Sequence, residues 1–133
     1  MRHRLYYHIA WTTRYRASLI DAGVASFLEQ HTAMVARQER ASVVAFGAVA
    51  DHVHLLLRAH PTTDLPRLVQ RLKGASARIA TKLGVASALG ALKWAKGYNM
   101  ETVGPRALDA ARRYVLNQAQ RHPRKAIDGV PVR

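Results

Sequence analysis

The sequence contains no cysteine. That excludes a disulfide framework, a zinc-thiolate site, an iron–sulfur cluster and a thiol nucleophile. It agrees with a reducing compartment, and the corresponding expectation is a cytoplasmic, nucleoid-associated location. Long apolar runs are missing as well. The longest, Val43–Ala50, is interrupted by a glycine and is far too short to span a bilayer. The N-terminus, MRHRLYYHIAW, starts basic but has neither a long apolar core nor a small-residue cleavage site. No Walker-type phosphate loop and no zinc-finger spacing occur. Acids are scarce: eight Asp and Glu face 21 Lys and Arg, a formal charge of +13. Such self-repulsion points to a polyanionic partner, and nucleic acid is the first candidate.

What is present is the composition of one globular domain: 133 residues, of which 49% are hydrophobic. Arg4–Thr13 alternates with Leu5, Tyr7, Ile9 and Trp11 on one side and Tyr6, His8 and Ala10 on the other, which predicts a strand. Arg14–Ser18 is a basic turn. Asp21 caps a helix carrying Val24, Phe27, Leu28, His31 and Val35 at helical spacing and ending near Arg40. Ser42–Ala50 and His52–Ala59 are apolar strands joined through a tight hairpin or bulge at Ala50-Asp51. Asp64 opens a long helix with an apolar stripe from Leu65 through Leu68, Val69, Leu72, Ser76 and Ile79 to Leu83. Gly74 within it costs about 1 kcal/mol relative to alanine, which suggests close packing or a ligand's close approach. Gly84–Leu92 is a loose connection. Gly97–Val103 is a fourth strand, and Gly104-Pro105 starts a last helix with Leu108, Ala111, Val115 and Ala119 on its apolar face. The order β-α-β-β-α-β-α predicts an α+β fold, an antiparallel sheet with helices on one face. Residues 1–121 form the domain, and the basic tail 122–133 is expected to be mobile.

Asp51-His52-Val53-His54 is the most informative stretch. Residues i and i+2 of a strand share a face about 6.5–7 Å apart. His52 and His54 are therefore either two polar positions on a wet sheet face or two imidazoles sharing a divalent cation. On the last helix Tyr114 and Gln118, four apart, share a face. Tyr114 is either a packing residue with a wet hydroxyl or a nucleophile toward phosphorus. With a phenol pKa of about 10 it then needs a base or cation nearby. The Gln118 carbonyl could complete a two-histidine metal site if the helix packs over the sheet. His31 lies on an apolar stripe and reads as a core histidine. His8 lies opposite Trp11, His60 precedes Pro61 in a loop, and His122 follows the tyrosine helix.

With these elements in this order, the sequence resembles the single-tyrosine HUH transposases of the insertion-sequence 200/605 group and their REP-associated relatives. The matching segments, in the family's order, are YYHIAWTTRYR (Tyr6–Arg16), DHVHLLL (Asp51–Leu57), LKGASAR (Leu72–Arg78), GYNMETVG (Gly97–Gly104) and RRYVLNQ (Arg112–Gln118). They span about residues 4–121. The resemblance implies the ferredoxin-like HUH endonuclease fold, with the catalytic Tyr114 on the terminal helix. It implies metal ligands His52, His54 and Gln118, and Mg²⁺ or Mn²⁺ as cofactor. The implied activity is cleavage and rejoining of single-stranded DNA at hairpin-marked element ends through a 5′-phosphotyrosine. Insertion-sequence members are homodimers in which the tyrosine helix can serve the partner's histidines, whereas some REP-associated members are monomers. Ala50 stands where proline is usual, and Trp94–Tyr98 is nearer the REP-associated style.

The expected DNA contacts are Arg14, Arg16, Arg67, Arg71, Lys73, Arg78 and Lys82, with Tyr15 available for stacking. The competing reading is a nucleic-acid-binding protein that does not cut, either a hairpin-binding regulator or an RNA-binding protein. It explains the charge but gives His52, His54, Tyr114 and Gln118 no task.

Overall fold

The computed structural model describes residues 3–83 and 90–127. The connection expected at Gly84–Leu92 falls largely outside them. Four strands, β1 (Leu5–Thr12), β2 (Ala41–Val49), β3 (His52–Ala59) and β4 (Asn99–Val103), form an antiparallel sheet in the order β2-β3-β1-β4. The helices are α1 (Ala22–Gln38), α2 (Leu65–Leu83), α3 (Leu108–Leu116) and the single turn α4 (Gln118–Arg121). The α+β order read from the sequence is the observed one. Asp21 caps α1 through its Oδ1, which accepts from Val24 N at 2.8 Å.

The two faces of the sheet carry different helices. Ile9 and Trp11 of β1 and Val53, Leu55 and Leu57 of β3 pack with α1 and α2 in the main core. On the other face, Leu56 and Ala45 meet Val115 of α3 in a second, smaller core. The expectation of helices on one face is therefore met by α1 and α2 and corrected for α3. This is why β3 reads as an almost unbroken apolar run: every residue but Arg58 is buried, on one face or the other.

Gly47 makes the second packing possible. A Cβ built on it would lie 1.9 Å from the carbonyl oxygen of Val115, so only a bare backbone lets α3 come down on β2. Gly74, the glycine that the sequence pointed to, has nothing within 4 Å of such a Cβ. It is an open helix surface. Leu83 also leaves the expected stripe and is 63% exposed.

Residues 122–127 lie against the domain. Lys125 O accepts from Ala50 N at 2.8 Å, and Ile127 is buried in the main core. Residues 128–133 lie outside the described residues.

Candidate active site

His52 and His54 project from the start of β3 toward α3, their ring centroids 5.1 Å apart. Both are buried. Because α3 crosses this face, Tyr114 comes to lie 5.4 Å from His54 between ring centroids. The helix then breaks at Asn117, whose φ and ψ (−101°, 25°) leave the helical region. The break turns Gln118 inward, where it is 1% exposed. Its Oε1 stands 3.3 Å from His52 Nε2, and its Nε2 donates to Tyr114 O at 2.8 Å. The four residues singled out in the sequence thus meet at one place, and a single chain supplies all of them.

Hydrogen bonds fix what each atom offers. Asp51 is fully buried, and its Oδ1 lies 2.8 Å from His52 Nδ1. Burial pushes its carboxyl up, but Lys125 and His52 outweigh that and hold it below the usual carboxylate range. An ionised carboxylate only accepts, so His52 carries its proton on Nδ1 and, when neutral, turns a bare Nε2 toward Gln118. With Gln118 Nε2 spent on the Tyr114 carbonyl, its Oε1 faces that nitrogen. Two acceptors pointing at one spot repel unless a cation or a proton stands between them. Among the described residues no three His, Cys, Asp or Glu side chains converge as a metal cage. The Gln118 Oε1 is a neutral oxygen that could join the two histidines around an ion.

His54 is held neutral. Burial, then the neighbouring His52, His8 and His122, push its pKa down to about 3. Burial also lowers His8, partly offset by Glu101. His122, 5.0 Å from His52 between ring centroids, is lowered by burial and by His52.

Two clefts flank this cluster. One, of about 400 Å³, has Arg16, Lys96, Tyr98 and His122 on its walls. The other, of about 780 Å³, runs between β4 and the small side chains Ala107, Ala110 and Ala111. His54 and Tyr114 line both. Arg121 adds a cation on the Tyr114 side, its Cζ 4.5 Å from the ring centroid.

The residues expected to touch DNA divide sharply. Arg16 reaches the first cleft because Tyr15 and Arg16 adopt left-handed backbone (φ 57° and 56°), and its Nη1 lies 3.7 Å from Asp51 Oδ2. Arg14 rests on exposed Tyr15. Arg67 and Arg71 lie on α2, behind the sheet, and both bond Glu39 just beyond α1, at 2.9 and 3.0 Å. α2 carries no acid of its own, and Glu39 from just beyond α1 balances part of the charge on this face. Lys73 donates to Ala95 O and Gly97 O at 2.7 and 2.6 Å, bracing the loop that lines the first cleft. Arg78 and Lys82 lie further along α2, on the same side of the sheet.

Residues 1–118 match the family described as Transposase IS200 like. The chain belongs to that family. It is 32% identical over 119 residues to the ISDra2 transposase TnpA of Deinococcus radiodurans, covering 87% of this chain and 85% of the relative. A crystal structure of a transposase candidate from Deinococcus radiodurans R1 superposes with a TM-score of 0.68 at 32% identity, covering 89% of this chain and 93% of that one. The REP-associated tyrosine transposase solved with a REP hairpin superposes at 0.67, covering 92% and 70%. At 12% identity it shows a shared fold. Membership of this transposase family marks the chain as a DNA-processing enzyme. No helix among the described residues is long and apolar enough to cross a membrane.

Sequence reasoning missed Asp51, Gly47 and Arg121 as parts of this site. Asp51 had a signal, its place directly before His52. Gly47 and Arg121 had none, since their roles arise from where α3 and α4 land.

Proposed function

We infer that the protein cleaves and rejoins single-stranded DNA at hairpin-marked ends, with Tyr114 as nucleophile and a divalent ion held by His52, His54 and Gln118. The observation that carries this reading is the meeting of an imidazole pair, an inward amide oxygen and a tyrosine between two clefts. The donor set of two nitrogens and one oxygen suits Mn²⁺ or Mg²⁺, with Mn²⁺ expected to bind tighter, because imidazole is a poor ligand for Mg²⁺. The chemistry such an ion supplies when bound is polarisation of the scissile phosphate and stabilisation of charge on the departing 3′-oxygen.

The chain's own residues do the rest. Arg16 and Lys96 draw the backbone into the first cleft, and the strand continues past Tyr114 into the second. Tyr114 Oη attacks phosphorus. The Oη–P bond forms as the P–O3′ bond breaks, the phenol loses a proton and the 3′-oxygen gains one. The 5′-phosphotyrosine keeps the bond energy, so a returning 3′-hydroxyl can rejoin the strand without water. The complete set within one chain means that a paired homodimer, expected for insertion-sequence members, is not needed to assemble the site.

EDTA and His52→Ala are each expected to remove cleavage of hairpin-bearing single-stranded DNA while sparing binding measured by fluorescence anisotropy. Gln118→Ala is expected to be milder, because water can replace a neutral oxygen ligand. Undiminished cleavage in EDTA would exclude the metal. Binding without any cleavage by the wild-type protein in Mn²⁺ would favour the hairpin-binding regulator instead.

The pairing of Arg67 and Arg71 with Glu39 moves the expected DNA path off α2. A salt titration of Arg67→Ala with Arg71→Ala is expected to keep the wild-type slope. Arg16→Ala with Lys96→Ala is expected to flatten it by about 0.7 for each single-strand phosphate that the variant no longer neutralises. The reverse pattern would return the strand to α2.

A further inference from the structure

His8 of β1 has no part in the cleavage step, yet it lies against one of the metal-site histidines. Its Nε2 is 2.7 Å from His54 Nδ1. The ring planes are 20° apart and the centroids 5.0 Å apart. That separation is the bond length plus a ring radius at each end, so the two nitrogens lie on the line joining the centroids. The rings therefore meet edge to edge in nearly one plane, as a hydrogen bond requires, and are not stacked on their faces.

Two neutral imidazoles in this arrangement share one proton, and which ring holds it decides the chemistry of His54. If His8 donates, neutral His54 carries its own proton on Nε2 and has no lone pair to offer a metal there. If His54 donates through Nδ1, its Nε2 is bare. Glu101 stands opposite His8 in the β1–β4 register. A divalent ion on His54 Nε2 requires the second arrangement, with His8 Nε2 as the acceptor. Tyr114 also faces His8, at 5.6 Å between centroids and nearly perpendicular.

We propose that His8 is a positioning residue that accepts from His54 Nδ1, fixes His54 in its Nδ1–H tautomer and so turns a bare Nε2 toward the divalent ion. This rests on the assignment of a divalent ion to His52, His54 and Gln118. It makes the two histidine ligands parallel in design. His52 is backed by the Asp51 carboxylate, and His54 by the His8 imidazole.

Long-range ¹H–¹⁵N NMR of the metal-free, ¹⁵N-labelled protein reads the tautomer without any metal or activity. Wild-type His54 is expected to be protonated on Nδ1 with Nε2 bare. In His8→Leu, which cannot accept, the Nε2–H form is expected to take over. Mn²⁺ affinity, followed by the free-ion EPR signal, is expected to fall about 10- to 100-fold in that variant. His8→Gln, whose carbonyl can reach the same place, is expected to recover most of it. A wild-type His54 protonated on Nε2 overturns the proposal, as does wild-type Mn²⁺ affinity in His8→Leu. A wild-type protein with the Nδ1–H tautomer but no saturable Mn²⁺ binding instead overturns the metal reading and leaves the role of His8 in the tautomer standing.

Discussion

Tyr114→Phe is expected to lower strand cleavage by about four orders of magnitude or more and to abolish the covalent protein–DNA adduct. The substitution keeps the ring. Its edge contacts with His8 and His54 and the Arg121 guanidinium over it therefore remain. The Gln118 bond to residue 114 uses the backbone carbonyl and is also untouched. Binding of hairpin DNA should stay within about twofold of wild type, because the phosphates are held by other residues. A denaturing gel for the adduct and anisotropy for binding separate the two effects. Cleavage at the wild-type rate by Tyr114→Phe would end the nucleophile assignment, whatever the metal results show.

The second large effect is expected at a residue that touches no substrate. Gly47→Ala places a methyl group where the Val115 carbonyl oxygen now lies, and no rotamer can move a backbone atom aside. The α3 helix must lift from the sheet. Gly47 pairs with His54 in the β2–β3 register, so the lift opens the site at its centre. A displacement of about 1 Å at reacting groups costs roughly 100-fold in rate. Overpacking of this kind also costs about 1–3 kcal/mol of stability, visible as a lower Tm. Gly74→Ala is the matched control. Its Cβ meets nothing, and replacing a mid-helix glycine gains about 1 kcal/mol. Wild-type cleavage by Gly47→Ala would show that the height of α3 does not matter.

Those two glycines also show how far local sequence reaches. Gly74 stands out because a helix interior is a costly place for glycine, and propensity is a local property. Gly47 sits in a strand with nothing nearby in the chain to mark it. The reason for it is a carbonyl 68 residues further along. The same divide runs through the charges. Arg67, Arg71, Arg78 and Lys82 share a helix face by simple periodicity, and the sequence could not show that the end of α1 would bring Glu39 against the first two.

By itself the sequence determined the element order, the Asp21 cap, the tight turn before His52 and the sharing of faces within each element. These follow from periods of two and 3.6 and from side chains acting on their own backbone. It also placed His52 beside His54 and Tyr114 beside Gln118, because each pair lies within one stretch of chain. Tertiary structure alone decided that the two pairs meet. That required α3 to cross the sheet face opposite α1 and α2, Gly47 to admit it, and the break at Asn117 to turn Gln118 inward. It likewise decided which groups face the ring nitrogens. Asp51 acts on the residue next door, but His8 reaches His54 only because β1 pairs with β3. Side-chain chemistry is written residue by residue, whereas the lone pair a ring presents depends on what the folded chain sets against its other nitrogen.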